Sequence, residues 1–419
     1  MECRRSEVAV AAGIVCTENS GPIGSNRRID ERMMQPNTLW RTARAAGLCI
    51  LFLMPALARA QWQMQSSGTH SSLRGIHAVG GTIAWASGAH GTVLHTSDGG
   101  EHWLACSVPP DAASLDFRSV WAWDAKHAMV LSSGPGAQSK LYSTHDGCHT
   151  WHVVLTNPDA EGFWDGLQFE GSHFGVILGD PVRGSFTLFT TYDGGMHWNR
   201  QVEPCLRTME GQQGAFAASN QSLAVLPLPD NKSRDVSVTR HRIWFGTSGG
   251  WMYRFELAPL SLIGSTHDGC SHLRVLGRGS APNPAAGIFA VSFRDAENGV
   301  AVGGAYTNSR AAENTAAYTL DGKNWRHAMH TPGGYRSSVA WNASDGVWIA
   351  VGPAGSDTSK NGSDWQPLDN ENWNAVSLPF AVGPKGRIGR LISWGELRAN
   401  LAAPAAISPL HRNSNAKGQ

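Results

Sequence analysis

The sequence predicts an all-β fold made of repeated units, and three observations support that class. The chain of 419 residues contains 48 Gly and 17 Trp but only 16% charged residues, whereas soluble domains average about 25%. An eight-residue turn motif recurs along the chain, and short apolar strands precede most of its copies. The length exceeds one compact core of about 100–150 residues, so either repeats or several domains are required.

Charge and motif content argue against several classes of function. Lysine plus arginine total 34 and aspartate plus glutamate total 33, so neither a basic nucleic-acid-binding surface nor an acidic, disordered chain is predicted. No GxGxxG or P-loop motif occurs, which leaves nucleotide-dependent chemistry without support. The cysteines and histidines show no zinc-site spacing. We therefore expect no cofactor, no metal and no nucleic-acid partner.

Residues 37–60 have the organisation of a secretory signal peptide. Arg41 and Arg44 precede an apolar stretch from Ala45 to Leu57, and Ala58-Arg59-Ala60 follows with the small-x-small pattern of a signal-peptidase site. The stretch is shorter than the ~20 residues that span a bilayer as a helix; a buried core helix is the alternative interpretation. We predict cleavage near Ala60/Gln61 and a periplasmic or secreted protein with no membrane span in its mature part.

Four cysteines follow that segment: Cys106, Cys148, Cys205 and Cys270. In an exported protein four cysteines can form disulfides in three ways, and the sequence does not choose among them.

The recurring turn motif has the form Thr-x-Asp-Gly-Gly-x-x-Trp. Its strong and degenerate copies are defined by Asp98, Trp103, Asp146, Trp151, Asp193, Trp198, Asp268, Asp321, Trp325, Asn361 and Trp365. Asp-Gly is a strong hairpin signal, because Gly adopts positive φ and Asp accepts from turn amides. The Trp packs the turn onto the adjoining strand. The motif is identified as the Asp-box, or BNR repeat, of sialidase-like propellers, and we assign it a structural role.

A second repeat lies ahead of these turns and has the small residues expected of crowded inner strands. Its copies are Arg74–Val79, Arg118–Trp123, Trp164–Phe169, Ile288–Phe293, Arg336–Trp341 and Trp373–Leu378. The turns are 40 to 75 residues apart, which suits four-stranded blades of about 40–50 residues. The longest interval fits a blade from Phe216 onward with an inserted loop near Asp230–Arg240.

These repeats predict a seven-bladed β-propeller of the sialidase-like, Asp-box type. The seventh blade lacks its own outer strand, and Gln61–Gln65 can supply it and close the ring. The predicted segments are 1–32, a non-native extension or disordered prefix; 33–60, the signal peptide; 61–394, the propeller; and 395–419, a flexible tail.

Several strings in the chain resemble a known family. They are Phe163–Asp165, Gly179–Pro181, Gly214–Ser219, Gly287–Phe289, Val302–Gly304, Gly333–Ser337 and Val382–Arg387. They resemble bacterial BNR-repeat propellers related to the photosystem II stability/assembly factor family, over about residues 70–390. The resemblance implies a propeller that helps to assemble a membrane complex and carries an arginine-rich patch. One departure is Ala305, where that family has Asp in Gly-Gly-Asp-Tyr, so any role of that Asp is absent.

The starts of the inner strands border the central channel, where propellers commonly bind ligands. The alignment places Arg74, Arg118 and Arg336 at equivalent positions in three blades. Trp164 and Trp373 occupy that position in two others and are followed by Asp165 and Asn374. Converging guanidinium groups would bind an anion or a carboxylate. The alternative is that the arginines are solvated rim residues or stack on neighbouring Trp.

We expect a non-enzymatic protein that binds a partner protein or helps to assemble a cell-envelope complex, and we assign no catalytic residue. The alternative is a sialidase-like glycosidase or carbohydrate-binding propeller that uses the three arginines with Asp165. Sialidase chemistry needs a Tyr nucleophile activated by Glu. Tyr306 and Tyr335 are available, but no Glu occupies a comparable position. Asp165 and Asp180 are candidate paired carboxylates, or caps of loop amides.

Overall fold

A computed structural model of the chain describes residues 61–211, 213–228, 239–257, 270–277 and 283–392. The predicted segments 1–32, 33–60 and 395–419 lie outside these ranges, as does Asp268 of the fourth turn motif. Within them, no helix is both long enough and apolar enough to cross a membrane.

The described chain forms seven four-stranded antiparallel sheets arranged as the blades of a propeller. Blade 1 contains β2 (Leu73–Val79), β3 (Ile83–Gly88), β4 (Val93–Thr96) and β5 (Leu104–Ala105); blade 2 contains β6 (Phe117–Ala122), β7 (Ala128–Ser132), β8 (Lys140–Thr144) and β9 (His152–Thr156). Blade 3 contains β10 (Trp164–Glu170), β11 (Phe174–Val182), β12 (Ser185–Thr191) and β13 (Asn199–Arg200); blade 4 contains β14 (Leu223–Leu228), β15 (Arg240–Gly246), β16 (Trp251–Leu257) and β17 (Ser271–Arg274). Blade 5 contains β18 (Ala286–Phe293), β19 (Gly299–Ala305), β20 (Ala316–Thr319) and β21 (Trp325–His327); blade 6 contains β22 (Ser338–Asn342), β23 (Val347–Gly352), β24 (Gly355–Ser359) and β25 (Gln366–Asp369). The first strand of each blade is the inner one, which confirms the predicted fold class of a seven-bladed, all-β propeller.

Blade 7 joins the two ends of the propeller. It contains β26 (Ala375–Ser377), β27 (Phe380–Val382) and β28 (Ile388–Ile392), with β1 (Gln61–Gln65) as its outer strand. β1 runs antiparallel to β28, with Gln61 opposite Ile392 and Gln65 opposite Ile388. Trp62 is buried and lies 5.2 Å from the ring centre of Trp373. The ring closure that the sequence predicts is therefore confirmed.

The hydrophobic core is divided among the seven interfaces between adjacent blades, because each sheet buries both faces against its neighbours. Six of these interfaces contain fully buried large aromatic side chains from inner or second strands or from the segments just before them: Trp85, Trp164, Phe245, Trp244, Trp373 and Phe380. Trp348 fills the seventh interface, between blades 5 and 6, with 2% of its surface exposed. Burial of aromatic groups of 150–250 Å² each contributes a large part of the apolar area removed from water.

The recurring turns share one hydrogen-bond pattern in blades 1, 2, 3 and 5. The Thr hydroxyl at the end of the third strand donates to the Asp Oδ1 two residues later, at 2.7, 2.9, 2.7 and 3.1 Å respectively. That carboxylate also accepts backbone N–H groups across the turn, which holds the pKa of Asp193 down at about 2. In blade 6, Ser359 and Asn361 form the corresponding contact at 3.2 Å. Assignment of these turns to the sialidase-like Asp-box type stays a prediction.

Two disulfides link the four cysteines whose pairing the sequence leaves open. Cys106, after the outer strand of blade 1, bonds to Cys148 in the turn of blade 2, and Cys205 bonds to Cys270 beside β17. Cys148 replaces the second Gly of the turn motif and has a φ of 67°. Residues other than Gly, Asn and Asp seldom adopt this left-handed backbone conformation. Disulfides of this kind are typical of proteins in oxidising compartments.

Candidate functional site

One register position in the inner strands faces the mouth of the central channel. In blades 1, 2, 3 and 5 the residue at that position is bypassed by a bulge in the pairing with the second strand, between Leu73 and Gly75 in blade 1 for example. The residues that occupy it are Arg74, Arg118, Asp165, Phe289, Ser337 and Asn374, in blades 1, 2, 3, 5, 6 and 7 respectively.

This register differs by one residue from the sequence alignment in blades 3, 5, 6 and 7. The residues that the alignment matches with Arg74 there lie one position earlier, where the side chain points into the interface between blades: Trp164, Ile288, Arg336 and Trp373. Trp164 and Trp373 are fully buried there. The strand pairing decides which residue holds the channel position, and composition alone gives no sign of it.

Arg336 is also buried, with only 2% of its surface exposed. Its Nε donates to Asp357 Oδ2 at 2.6 Å, and its Nη1 donates to the Tyr335 carbonyl at 3.0 Å. Burial raises the pKa of the Asp357 carboxyl, although the Arg336 cation opposes that rise. Arg336 therefore forms an internal ion pair and does not reach the mouth with the other two arginines.

A short segment before β14 fills the channel below the mouth. We call residues 217–222 the plug. Its 3-10 turn, Asn220–Ser222, contacts the inner strands of blades 1, 2, 3, 5 and 6, and Gln221 Nε2 donates to the Val376 carbonyl of blade 7 at 2.9 Å. Only a segment on the propeller axis can reach the inner strands of all the other blades.

Above the plug lies a cavity of about 390 Å³, and aromatic residues form a contiguous part of its wall. Phe216 and Phe289 stack with ring centres 3.6 Å apart, and Tyr335 meets Phe289 edge-on at 4.6 Å. Tyr306, which is 54% exposed, extends the wall at the rim. Ala217 of the plug lies at the floor. The cavity is thus a blind pocket with one apolar wall.

The polar part of the cavity wall contains Arg74, Arg118, Ser337 and Asn374. Arg118 Nε donates to Asp116 Oδ2 at 2.9 Å, and its Nη1 donates to the Ala217 carbonyl at 3.0 Å. Arg74 Nε is buried and has no hydrogen-bond partner among the described residues. Burial, reinforced by the nearby Arg118 cation, lowers the pKa of Arg74.

Two acids lie beside this cavity in blade 3. Asp165 is 1% exposed, and its Oδ2 has no partner among the described residues. Burial, together with the neighbouring Asp180 carboxyl, raises the pKa of Asp165 well above its usual range. Asp180 Oδ1 accepts from the Ala215 N–H at 2.8 Å, and burial raises its pKa to about 6. The raised pKa favours the neutral form of Asp165, which weakens the negative charge that this side chain offers to the arginines.

The structure therefore brings together Arg74, Arg118 and Asn374 among the predicted site residues, with Asp165 buried alongside. Sequence reasoning did not assign Phe216, Phe289 or the plug to the site. The polar run Ser219–Ser222 immediately before an apolar strand is the signal that could have indicated the plug.

One exposed group, Asp98, Glu101 and His102, has ligand atoms close enough together to hold a metal ion. His102 Nδ1 is already paired with Asp98 Oδ2 at 2.8 Å, and we assign no metal to it.

Comparison with known proteins supports the fold. No family model and no curated protein matches the chain. A solved structure of YCF48 bound to D1 peptide is 16% identical, covers 81% of this chain and 99% of its own, and has a TM-score of 0.52. The chain has the propeller fold of YCF48. YCF48 is a photosystem II assembly factor, so the resemblance drawn from the sequence is confirmed at the level of fold.

Two further solved structures match at lower TM-scores. YCF48 from Cyanidioschyzon merolae is 16% identical, covers 79% of this chain and 98% of its own, and has a TM-score of 0.37. The WD40 β-propeller domain of Doa1 is 11% identical, covers 81% and 99%, and has a TM-score of 0.48.

Proposed function

We propose that the chain is an exported, non-enzymatic propeller that binds a partner protein at the channel mouth and acts as an assembly or stability factor in the cell envelope. The observation that carries the proposal is the blind cavity that combines an aromatic wall with Arg74 and Arg118. Aromatic residues and arginine are the types that dominate binding energy at protein interfaces. A pocket closed by the plug accepts a segment presented by a partner and does not let a chain pass through the channel.

Two other observations agree with this proposal. The solved YCF48 structure of the same fold is bound to D1 peptide, so a propeller of this kind has a precedent for holding a protein segment. The two disulfides suit an oxidising compartment outside the cytoplasm.

The proposed export requires a signal peptide. We propose that 33–60 is a cleaved signal peptide that precedes the propeller. N-terminal sequencing of the exported protein should find a start near Gln61, and a different start refutes this proposal.

Site-specific photo-crosslinking tests the binding proposal. A photoreactive phenylalanine analogue in place of Tyr306 at the cavity rim should capture one defined envelope protein. The same analogue in place of Met196, which is 71% exposed on a blade 3 turn, is the matched control and should not. Mass spectrometry identifies the captured segment, and a synthetic peptide of that segment should bind the purified protein and compete with crosslinking. Equal capture at both positions, or no binding of the peptide, contradicts the proposal.

The placement of the same residues gives little support to glycoside hydrolysis. Arg336 is committed to Asp357 away from the cavity, so only two arginines remain for a sugar carboxylate. Burial raises the pKa of Tyr335, the reverse of what a tyrosine nucleophile requires. A screen with fluorogenic glycosides checks this directly: turnover that is abolished by Arg118→Ala would overturn the non-enzymatic proposal.

A further inference from the structure

The two arginines at the channel mouth have different environments, and we propose that they have different tasks. Arg118 holds the plug in place, whereas Arg74 is the residue that binds a carboxylate of the partner. This inference rests on the proposed function, since it names the chemical group that the same cavity recognises.

The hydrogen bonds of Arg118 are already used within the protein. Asp116 neutralises its charge, and the Ala217 carbonyl of the plug accepts from its Nη1. Two residues farther along β6, the backbone of Val120 bonds to Asn220, also in the plug. Arg118 thus belongs to a continuous connection between blade 2 and the floor of the cavity.

Arg74 has no such partners among the described residues. Its Nε is buried and unbonded, and the acid that acts on it electrostatically, Asp116, accepts its hydrogen bond from Arg118. The other polar groups near it are occupied or uncharged. Asn374 Nδ2 donates to the Leu73 carbonyl at 2.7 Å, and the raised pKa of Tyr335 keeps its hydroxyl neutral. Arg74 is partly buried and lines the cavity, so its guanidinium is partly desolvated while its Nε has no hydrogen bond, and an anion in the cavity would supply hydrogen bonds and charge that the fold does not.

The surroundings of Arg74 define the class of ligand. Guanidinium binds carboxylate through two parallel hydrogen bonds. The wall formed by Phe289 and Tyr335 offers an apolar contact close to it. We therefore infer a carboxylate with an aromatic or apolar group next to it. An acidic side chain and a free chain end both carry that group.

If the two arginines have these different roles, replacing each of them should change the melting temperature in opposite directions. Arg74→Gln removes a partly buried charge that desolvation and the neighbouring Arg118 cation both disfavour, so the melting temperature of the free protein should rise. Arg118→Gln leaves Asp116 without its cation and the plug without its support, so the melting temperature should fall. An exposed arginine of blade 5, Arg326→Gln, is the matched control and should leave the melting temperature unchanged.

Small probes test the recognition directly. The purified protein is titrated with 3-phenylpropanoate and with its neutral counterpart, 3-phenylpropanamide, by ligand-observed NMR. In the wild type the carboxylate should bind at least about tenfold more tightly, since hydrogen bonds between charged groups contribute about 1.5–3 kcal/mol. Arg74→Gln should abolish that preference, Arg74→Lys should restore part of it, and Arg326→Gln should retain it fully.

Two dipeptides separate the sources of the carboxylate. N-acetyl-Phe-Glu-amide offers it on a side chain and N-acetyl-Gly-Phe offers it at a chain end, and the tighter ligand identifies the source. The inference is overturned if Arg74→Gln keeps the preference for the carboxylate or lowers the melting temperature as Arg118→Gln does. Failure of every probe with the wild type overturns it as well, whereas the proposed function is judged separately by the crosslinked partner.

Discussion

Asn220 and Val120 exchange two hydrogen bonds inside the central channel, the side-chain amide of one matching the backbone of the other. The Val120 N–H donates to Asn220 Oδ1 at 3.4 Å, and Asn220 Nδ2 donates to the Val120 carbonyl. The two residues are 2% and 0% exposed, so bulk water cannot replace the amide. One side chain therefore keeps the plug attached to the inner strand of blade 2.

Asn220→Ala should destabilise the protein by about 1–3 kcal/mol for each backbone group of Val120 that loses its partner. Asn220→Asp should be worse, because a carboxylate oxygen then faces the Val120 carbonyl. Urea unfolding followed by tryptophan fluorescence measures both variants. Asn199→Ala, at an exposed position in β13, is the control and should stay within about 0.5 kcal/mol of the wild type. An unchanged unfolding midpoint for Asn220→Ala would show that the plug contributes no stability.

The buried pair Arg336 and Asp357 gives a second prediction. Arg336→Met leaves a buried carboxylate without its cation and should cost about 3–5 kcal/mol, whereas the double variant Arg336→Met/Asp357→Leu should recover most of that loss. Chemical denaturation of the two variants measures the difference. Glu371→Gln, which breaks the exposed pair with Arg387, should cost less than about 1 kcal/mol. A double variant as unstable as the single one contradicts this reasoning.

Asp180 makes stability depend on pH in an unusual direction. Its folded pKa is about 6, above the ordinary value of 3.8, so between about pH 4 and 6 the folded protein keeps a proton that the unfolded chain has released. Its contribution to stability therefore falls as pH rises through that window and stays lost above pH 6. Asp180→Asn should gain stability relative to the wild type over the same range, measured by unfolding at pH 4, 5, 6 and 7.

Asp193 in the blade 3 turn is the matched contrast. Its pKa is lowered to about 2, so its contribution is present above about pH 4 and is lost as pH falls toward 2. Asp193→Asn should therefore be less stable than the wild type near neutral pH and equal to it in acid. A flat difference for both variants across these ranges would contradict the two assignments.

The disulfide between Cys106 and Cys148 joins blade 1 to blade 2 and closes a loop with a sequence separation of 42. On the chain-entropy model a loop of this size contributes about 3–5 kcal/mol. The double variant Cys106→Ser/Cys148→Ser should melt at a lower temperature and respond less to reductant than the wild type. The variant Cys205→Ser/Cys270→Ser provides the comparison with the other bridge. A wild-type melting temperature that reductant does not change is inconsistent with both bridges.

The fold could be predicted from the sequence because its determinants are local and repeated. Each strong copy of the turn motif combines a Thr-Asp hydrogen bond with a Trp that packs the turn, as Thr144, Asp146 and Trp151 do in blade 2. Such short-range patterns can be recognised in the sequence without knowing which other blades pack against the turn. Closure by Trp62 and β1 was likewise predictable, since the count of strands left blade 7 one short.

The site was less accessible to prediction because it depends on register and on contacts between distant segments. The bulge in blade 1 bypasses Arg74 and the bulge in blade 3 bypasses Asp165, so Asp165 and not Trp164 shares the position of Arg74. Arg336 is held away from the cavity by its ion pair with Asp357, which follows it by 21 residues. No pattern in the sequence links the two. The plug reaches Val120, 100 residues before Asn220, and only the ring geometry makes them neighbours.

Because β1 pairs with β28, the propeller cannot finish folding before its last strand has been synthesised. Blades 1 to 6 contain only strands that are contiguous in the chain, so each can form as soon as it has been synthesised. Blade 7 must wait for its last strand and then recruit the first one from the opposite end, a contact with a large loop-closure entropy. Until then, the unpaired edge of β28 and the inner face of blade 1 remain open to other chains. A chaperone that guards this nascent gap would therefore protect the protein during the last step of its maturation.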